Sequence, residues 1–466
     1  MIRSTEKLFG TDGIRGEAGC FPLDDDTIFL LGQAASDVLA GQQTAATNTC
    51  VIGQDTRRSG DHIRDTIIAG LNSRGMKVLD AGVIPTPAIA FLTQKESAAF
   101  GIVISASHNP YQDNGIKFFA SDAYKLDEEV ERAVEERLRE LLHTSKDAAP
   151  TPQAKNLTAV ETLPHALGHY VDHVCLSITT SEQNPSPLAG LSIVLDSANG
   201  AAYQSSIAIL KKLGAQVFPY FDQPDGVNIN LNCGCTHPDT IENLVAKHPG
   251  SIGVAHDGDA DRVALCDENG SALDGDELLA IAGLDSLQRG QLKNDTLVAT
   301  TMSNGALDQL ISQHGGQVIR TGVGDRQVIA QMRSGDHELG GEQSGHIIFR
   351  PISTTGDGIV AAVKILCIVS RTGKKLSQLR QCFQAFPQVQ RNLVMTSKPP
   401  LESFTQAQAL IQETQATLGK SGRILLRYSG TELLLRLLIE GSDEDYINQQ
   451  ADAIIRAIQS QDQGAN

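Results

Sequence analysis

Apolar runs alternate with helix-like stretches along most of the chain, and one arrangement of them occurs three times. Each unit begins with an apolar, β-branched run, continues through helix, strand and helix, and ends with another apolar run. This pattern predicts the order β-α-β-α-β in each unit. The opening and closing runs of the three units lie at 51–53 and 100–110, 191–200 and 251–262, and 296–305 and 337–346.

The alternation of strands with helices predicts mostly parallel sheets covered by helices on both faces. In such sheets, ligands bind beyond the carboxyl ends of the strands. The last strand of each unit runs into the most unusual loop of that unit. We therefore expect an α/β protein in which three similar mixed-sheet domains direct three different loops towards one place.

The C-terminal part of the chain has a different pattern. RILLRYSG (423–430) and LLLRLLIEG (433–441) predict a hairpin, and a helix is expected from about Asp443 to Gln459. These elements indicate a smaller α+β domain. The polar, proline-containing stretch 144–156 is predicted to link the first two domains. The predicted domains are 1–155, 156–268, 269–380 and 381–466.

Composition narrows the functional classes. The 466-residue chain has a formal net charge of −17, which leaves no broad basic surface for nucleic acid or anionic lipid. The absence of Trp argues against platforms on which bases or flat sugar faces would stack. Residues 1–10 lack the apolar core of a signal peptide, and the apolar stretch 359–369 is too short to span a bilayer. We therefore expect a cytoplasmic protein. Of the eight cysteines, only Cys233 and Cys235 are close in sequence, so inert thiols are favoured over a zinc site.

The segment DGDADR is the most specific candidate for a metal site. In an extended segment, Asp257, Asp259 and Asp261 would all project to one face, where their repulsion calls for a hard cation such as Mg²⁺. A solvated acidic turn is one alternative. An EF-hand loop is another because Glu268 occupies the twelfth position, but its sixth position requires Gly and holds Arg262.

The loop SASHNP (105–110) contains a candidate phosphate carrier. Ser107 follows a predicted buried strand and precedes His108, a polar donor and candidate substrate-binding residue, in a sharp turn. Lys117 follows closely and is a candidate general acid or base. A purely structural serine is the alternative. The G-x-S-x-G pattern of acyl-transfer enzymes is absent.

Three further loops carry weaker signals, and each is also compatible with an ordinary turn. Glycines in GGEQSGH (340–346) permit close backbone approach, so its side chains are candidates for reading sugar hydroxyls. Hydroxyls, backbone N–H groups and arginines around RYSGTE (427–432) are typical of an anion-binding site. The candidates in these loops and in FGTDGIRG (9–16) are Glu342, Ser344 and His346; Arg427, Ser429, Gly430, Thr431 and Arg436; and Asp12 and Arg15.

Taken in order, these loops resemble the α-D-phosphohexomutase family over nearly the whole chain. The strings that carry the resemblance are FGTDGIRG, GIVISASHNP, DNGIKFF, DGDADR, VGDR, LGGEQSGHI, TTGDGI and SGTE. Their detailed form is most similar to the members that act on glucosamine phosphate. The resemblance implies four domains around a central cleft. In chain order, the domains would carry the phosphoserine, bind the metal, bind the sugar and bind the distal phosphate.

The resemblance also assigns roles to the candidate residues. Ser107 would carry the phosphate, Lys117 and His346 are candidates for proton transfer, and a sugar 1,6-bisphosphate would be the activator. The implied ligands of Mg²⁺ are Ser107, Asp257, Asp259 and Asp261. The remaining implied roles are Arg262 near the phosphoserine, Glu342 and Ser344 on the sugar, and Arg427, Ser429, Gly430 and Thr431 on the distal phosphate.

Several alternatives remain open at this point. Within the family, a phosphomannomutase or phosphoglucomutase would use the same machinery. A phosphatase and a non-catalytic sugar-phosphate-binding protein are rivals from other classes. The sequence is compatible with a homodimer as well as with a monomer. Three positions depart from the usual family pattern: Ala260 where Gly is common, Leu433 where Pro is common, and His169 where Arg is common.

Overall fold

The structure is a computed structural model that describes most of the chain. The described residues are 7–10, 12–40, 48–144, 160–419, 421–429 and 433–463. The predicted linker at 144–156 lies almost entirely outside them, as do the candidate site residues Gly430 and Thr431. In the described part of the chain, no helix combines the length and apolarity that a membrane crossing requires.

The first unit forms a six-stranded mixed sheet with the order β1-β5-β4-β2-β3-β6. Strands β4, β2, β3 and β6 are parallel, and β1 and β5 form the antiparallel side. Its elements are β1 (Ile14–Glu17), α1 (Asp25–Leu39), β2 (Thr49–Gln54), α2 (Gly60–Asn72), β3 (Lys77–Val83), α3 (Thr86–Lys95), β4 (Phe100–Ile104), β5 (Asp113–Ala120), α4 (Glu128–Thr144) and β6 (Val160–Thr162).

The second unit forms a five-stranded sheet with the order β11-β10-β9-β7-β8. Its opening strand, β7, is parallel to both neighbours, and β10 returns antiparallel to β9. The elements are α5 (Ala166–Glu182), β7 (Ser192–Asp196), α6 (Ser205–Lys212), β8 (Gln216–Tyr220), α7 (Pro238–Ala246), β9 (Ile252–His256), β10 (Val263–Cys266) and β11 (Ala272–Leu273).

The third unit forms a four-stranded sheet with the order β13-β12-β14-β15. Its first helix begins with a capping box, in which the side chains of Asp274 and Glu277 accept from each other's backbone N–H groups. The elements are α8 (Gly275–Gln288), β12 (Thr296–Thr300), α9 (Ala306–Gln313), β13 (Gln317–Thr321), α10 (Asp325–Ser334), β14 (Leu339–Gly341), β15 (Ile347–Phe349), α11 (Gly358–Thr372) and α12 (Leu376–Leu379).

The C-terminal part is a three-stranded antiparallel sheet with two helices. The predicted hairpin is confirmed, and a third strand, which the sequence pattern did not indicate, precedes it. The elements are β16 (Gln388–Val394), α13 (Thr405–Leu418), β17 (Gly422–Tyr428), β18 (Leu434–Gly441) and α14 (Glu444–Gln463).

The three similar units share one feature that positions the site. In each, the parallel strand that closes the β-α-β-α-β order is followed by a polar loop and then by an antiparallel strand, in the pairs β4–β5, β9–β10 and β14–β15. The three loops are SASHNP, DGDADR and GEQSGH. The expected mixed α/β fold is therefore confirmed, and each candidate loop is held between two paired strands.

The buried apolar cores divide the chain into fewer parts than the four β-sheets do. One continuous cluster of buried apolar residues runs through all three similar units, from Val51 in the first to Leu195 in the second and Leu297 in the third. The C-terminal part has its own core, which includes Leu437 and Ile454. The first three units therefore form one packed body, and the fourth is an addition with a separate core.

Helix α1 crosses α2 at two glycines, and this crossing offers a test of the fold. A Cβ added to Gly70 would overlap the carbonyl oxygen of Phe29 and lie 3.1 Å from the Cα of Gly32. We expect Gly70→Ala to lower the free energy of unfolding by about 1–3 kcal/mol, because the overlap outweighs the gain in helix propensity. Urea-induced unfolding followed by circular dichroism measures the change.

The matched control is another helical glycine, Gly168 in α5, where an added Cβ meets no atom within 4 Å. Gly168→Ala should raise the free energy of unfolding by up to about 1 kcal/mol. Equal effects of the two substitutions would contradict the close approach of α1 and α2.

Candidate active site

Loops from the first two units meet at Ser107. Its hydroxyl donates a hydrogen bond of 2.6 Å to Oδ2 of Asp257 in the second unit. Lys117 Nζ lies 2.8 Å from Oδ2 of Asp259 and 3.4 Å from Oδ2 of Asp261. The predicted phosphate carrier, metal ligands and acid–base residue thus lie together, and all of them are buried.

Ser107 has an unusual backbone conformation. Its φ angle is +53°, in the left-handed region. A residue with a Cβ adopts this region at a cost of about 1–2 kcal/mol. Backbone strain of this kind persists where the surroundings impose it, and it is concentrated at functional sites. The conformation therefore favours a functional serine over one in an ordinary turn.

The three aspartates converge by a turn, which corrects one expectation from the sequence. The segment DGDADR is not extended but forms the connection between β9 and β10, and Ala260 within it has a φ of +57°. This left-handed residue reverses the chain and so brings the three carboxylates together. Ala260 bears the strain that the glycine common at this position would avoid.

The aspartate cluster fits a divalent cation. Carboxylate oxygens of Asp257, Asp259 and Asp261 lie within 4.8 Å of one another, and all three residues are at most 3% exposed. Oδ1 of Asp259 and Oδ1 of Asp261 are buried and accept no hydrogen bond from the described residues. Unpaired oxygen donors at this spacing suit Mg²⁺. Burial argues against a solvated acidic turn, and the flanking strands argue against an EF-hand.

Burial and neighbouring charges shift the pKa values of Asp257 and Lys117 in the cluster. Burial, together with the charges of Asp261 and Asp259, raises the pKa of Asp257 well above its ordinary value. Burial also acts against the ammonium of Lys117, but the carboxylates of Asp12 and Asp259 outweigh it and raise the pKa of Lys117 well above its ordinary range. Lys117 is therefore held as a cation beside the cluster, and Asp257 is the carboxylate that most needs a further positive charge.

Asp12 is the centre of a buried charge network that reaches the third unit. Its carboxylate accepts from Lys117 at 2.8 Å, from Arg15 at 2.5 Å and from Lys125. Lys125 also donates to Asp325 at the start of α10. Burial opposes the charged form of Asp12, but Lys117, Lys125 and Arg15 together hold its pKa well below the ordinary value.

The third loop completes a cavity of about 500 Å³. Glu342 Oε1 accepts from the backbone N–H of Gly324 at 3.1 Å, and His346 Nε2 lies 3.6 Å from Oδ2 of Asp325. The cavity is lined by residues of all three similar units: Leu8, Gly10, Asp12, Gly13, Arg15, His108, Asp261, Arg262, Val323, Gly324, Asp325, Glu342, Ser344 and His346.

His108 and Arg262 lie between the serine and the open cavity. His108 Nδ1 is 3.2 Å from the Ser107 hydroxyl, and burial, with the charges of Arg262 and Arg15, lowers the pKa of His108. Arg262 lines the cavity, and its backbone N–H donates to Asp257 at 3.2 Å. Both residues therefore border the space in which an anion next to Ser107 would lie.

The C-terminal candidates that the structure describes do not line this cavity. Among the described residues that line it, none comes from the hairpin that carries Arg427, Ser429 and Arg436. Arg427 lies across from Arg436 on the paired strands, and its Nη2 is 3.9 Å from the sulfur of Met302. A site that unites this hairpin with Ser107 therefore stays a prediction.

Sequence reasoning missed several residues that hold the site together. Lys125 and Asp325 were not singled out, although they join the first and third units. Thr86, which donates to Asp259 at 2.5 Å, was also missed.

Two further residues escaped notice because their partners are backbone atoms. Arg57 donates to the carbonyl oxygen of Ser107 at 2.8 Å, and Asn230 donates to the same oxygen at 2.9 Å. The signal that was available for Arg57 is its position just after β2, at the carboxyl edge of the sheet where ligand-binding loops gather.

The chain belongs to the phosphoglucomutase/phosphomannomutase family, which confirms the resemblance noted in the sequence. The α/β/α domains I, II and III of the family match residues 6–144, 168–270 and 274–386, and its C-terminal domain matches 374–457. A phosphoglucosamine mutase from Symbiobacterium thermophilum is 45% identical over 455 residues, which cover 98% of this chain and 99% of that relative.

Solved structures share the fold at lower identity. A phosphoglucomutase/phosphomannomutase family protein from Burkholderia thailandensis is 22% identical with a TM-score of 0.78, over 97% of each chain. Aspergillus fumigatus N-acetylphosphoglucosamine mutase, in complex with GlcNAc-6P and magnesium, is 18% identical with a TM-score of 0.61, over 98% of this chain and 96% of that one. At these identities the likeness is evidence of the fold alone.

The raised pKa of Asp257 leads to a prediction about how metal binding and pH affect the stability of the protein. Because its folded pKa lies above the unfolded value of about 3.9, the folded state retains a proton that the unfolded state loses. The metal-free protein therefore loses stability as the pH rises from that unfolded value to the folded pKa. Mg²⁺ should restore stability, by about 2.7 kcal/mol at a free concentration about 100 times its Kd.

We expect Asp257→Asn to melt at or above the wild-type temperature in EDTA and to lose most of the gain that Mg²⁺ gives. Differential scanning calorimetry at neutral pH, with EDTA and with Mg²⁺, measures both. Asp445→Asn, on the exposed first turn of α14, is the control and should respond to Mg²⁺ as wild type does. An unchanged response of Asp257→Asn would count against the metal site.

Proposed function

We propose that this protein interconverts glucosamine 6-phosphate and glucosamine 1-phosphate through a phosphorylated Ser107 and a sugar 1,6-bisphosphate. The observation that carries the proposal is the contact of the strained, buried Ser107 with Asp257 in a cluster of three buried carboxylates. The choice of sugar is supported by the 45% identity to a phosphoglucosamine mutase over the length of that relative.

The aspartate cluster would hold Mg²⁺ next to the phosphate on Ser107. The ligands would be Asp257, Asp259 and Asp261, with an oxygen of Ser107 or of its phosphate. When bound, the metal supplies positive charge that polarises the phosphoryl group and offsets the charge on its oxygens. Arg262, which lines the cavity beside the serine, adds a fixed positive charge on the open side.

The first half of the reaction transfers the phosphoryl group to the sugar. The bond from phosphorus to the C1 oxygen forms as the bond to Ser107 Oγ breaks. The C1 hydroxyl gives up its proton to a base, and Oγ receives a proton from an acid. We assign the acid role to Lys117, whose ammonium lies 2.8 Å from Asp259 in the cluster that contacts Ser107, and the base role to His346, which lines the cavity beside Asp325.

The second half reverses these roles after the bisphosphate has turned over in the cavity. Ser107 Oγ attacks the C6 phosphate and loses its proton, and the C6 oxygen leaves with a proton. The two halves together restore both the phosphoserine and the protonation of the site. A trace of sugar 1,6-bisphosphate would therefore phosphorylate Ser107 in protein that has lost its phosphate, and so act as the activator.

A second phosphate-binding site must hold whichever phosphate is not reacting. We assign this site to Arg427, Ser429, Gly430 and Thr431, with Arg436 beside them. The described part of the hairpin does not line the cavity, and the proposal therefore includes an approach of the C-terminal domain to it. The separate core of that domain supports such a movement, which would also exclude water from the phosphoserine.

The cellular setting is part of the same proposal. The product would feed the synthesis of UDP-N-acetylglucosamine, which places the protein in the cytoplasm with small sugar phosphates as its partners. A phosphomannomutase or phosphoglucomutase activity is the alternative, since the family is named for both sugars. No contact with nucleic acid or membrane is expected.

Ser107→Ala tests the phosphoserine. The substitution removes the oxygen that carries the phosphate, so we expect mutase activity to fall by at least about 10⁴-fold, the range for loss of a nucleophile. Intact-mass spectrometry after incubation with glucose 1,6-bisphosphate should show one phosphate on the wild type and none on the variant. Activity within tenfold of wild type would contradict the proposal. Ser460→Ala, on the exposed side of α14, is the control.

A comparison of substrates tests the sugar. Isomerisation rates would be measured for glucosamine 6-phosphate, mannose 6-phosphate and glucose 6-phosphate, with Mg²⁺ and a trace of sugar bisphosphate. We expect the highest kcat/KM for glucosamine 6-phosphate. A preference for either other sugar would replace the substrate while keeping the mechanism, and release of inorganic phosphate without isomerisation would indicate a phosphatase.

A further inference from the structure

A buried arginine lies beneath the serine loop, defined here as residues 105–113. Arg57 is 2% exposed, and a guanidinium has five N–H donors. Its Nε donates to Oδ2 of Asp55 at 2.9 Å. The other four N–H groups meet carbonyl oxygens of the serine loop, those of Ser107 at 2.8 Å, Asn109 at 2.9 Å, Asp113 at 3.0 Å and Pro110.

A second chain of hydrogen bonds joins Arg57 to the amide of Ser107. Asp55 Oδ2 accepts from the hydroxyl of Ser105 at 2.6 Å, and that hydroxyl accepts from the backbone N–H of Ser107 at 2.9 Å. The contact exists because β2 and β4 are adjacent parallel strands, with Gln54 opposite Ile104. Their carboxyl ends therefore place Asp55 beside Ser105.

These contacts surround a residue that would relax without them. Ser107 has a left-handed backbone, and such strain persists only when neighbouring groups impose it. Arg57 binds the carbonyl of Ser107, and Ser105 binds its amide, so both peptide groups flanking the strained residue are held. Asn230, from the second unit, donates to the carbonyls of Ser107 at 2.9 Å and Asn109 at 3.0 Å.

We infer that Arg57 is a positioning residue for the Ser107 nucleophile, acting with Asp55 and Ser105 on the backbone of the serine loop. It does not line the cavity, so it acts on the reaction through the serine loop that it holds. This inference rests on the proposed phosphoserine mechanism. It predicts that loss of Arg57 slows phosphoryl transfer while leaving sugar-phosphate binding nearly intact.

The geometry requires a guanidinium rather than a positive charge. A lysine ammonium has three donors on one atom and cannot reach four carbonyl oxygens arranged around a planar group. Arg57→Lys should therefore behave like Arg57→Ala. Added guanidinium ion, at concentrations too low to unfold the protein, should restore part of the activity of Arg57→Ala, whereas urea, which has a similar shape and no charge, should not.

The experiment compares Arg57→Ala and Arg57→Lys with Arg380→Ala. Arg380 also donates to carboxylates, a hydroxyl and backbone carbonyls, but its partners are Asp267, Ser271, Ala272 and Glu277, away from the serine loop. We expect kcat to fall roughly 100-fold or more in both Arg57 variants with KM within about threefold, the size of loss that a displaced reacting group produces. Arg380→Ala should lose melting temperature but keep kcat within about threefold.

Ser105→Ala is the second variant, and it keeps the test open if Arg57→Ala does not fold. It removes one oxygen from the chain between Asp55 and Ser107. Its matched control is Ser206→Ala, which removes a buried hydroxyl 3.0 Å from His256. We expect kcat to fall about tenfold in Ser105→Ala, with KM unchanged, and to stay near wild type in Ser206→Ala.

Hydrogen exchange separates this inference from the proposed function. In the substrate-free protein, amides of the serine loop should exchange faster in Arg57→Ala, or in Ser105→Ala, than in Arg380→Ala. If wild type has no mutase activity, the proposed function fails while this readout still stands. Unchanged exchange, a loss confined to KM, or a kcat loss matched by Arg380→Ala would overturn the positioning role.

Discussion

Repulsion among three buried carboxylates is the constraint on which the rest of the site depends. Asp257, Asp259 and Asp261 are held together by one short loop and are at most 3% exposed. Burying ions without compensation is costly, so positive charge must come from elsewhere. Lys117 supplies it from the first unit, which ties the aspartates to the β-strand that follows Ser107. The aspartate cluster and the serine therefore share one structural support.

The network of charged side chains around Lys117 extends to the third unit. Asp12 offsets Lys117 and is itself offset by Lys125, which pairs with Asp325 beside His346. A continuous apolar core backs these contacts. Among the described residues, the strands and helices of the C-terminal domain, from β16 onward, belong to neither the network nor that core. The three units that line the cavity thus form one body, and the C-terminal domain packs around a core of its own.

Much of this arrangement was predictable, for identifiable reasons. The strand at 100–104 begins where the closing run of the first unit was predicted to begin, because apolar runs between turn residues have few other conformations available. Asp257 and Ser107 were found because their loops carry rare combinations of residues. The turn at Ala260 was not foreseen, since its left-handed φ reflects the pairing of β9 with β10 rather than local preference.

The sequence by itself determined the repeated strand–helix order, the loops that carry chemistry and the family to which the chain belongs. These features are local patterns or ordered strings, which can be recognised without any interatomic distance. Only the tertiary structure decided which groups neutralise one another. Arg57, Lys125 and Asn230 act through contacts with backbone atoms or residues far away in sequence, and no local pattern records such contacts. Their roles arise where strand ends meet, because long-range packing sets the charge partners and the strain of a buried site.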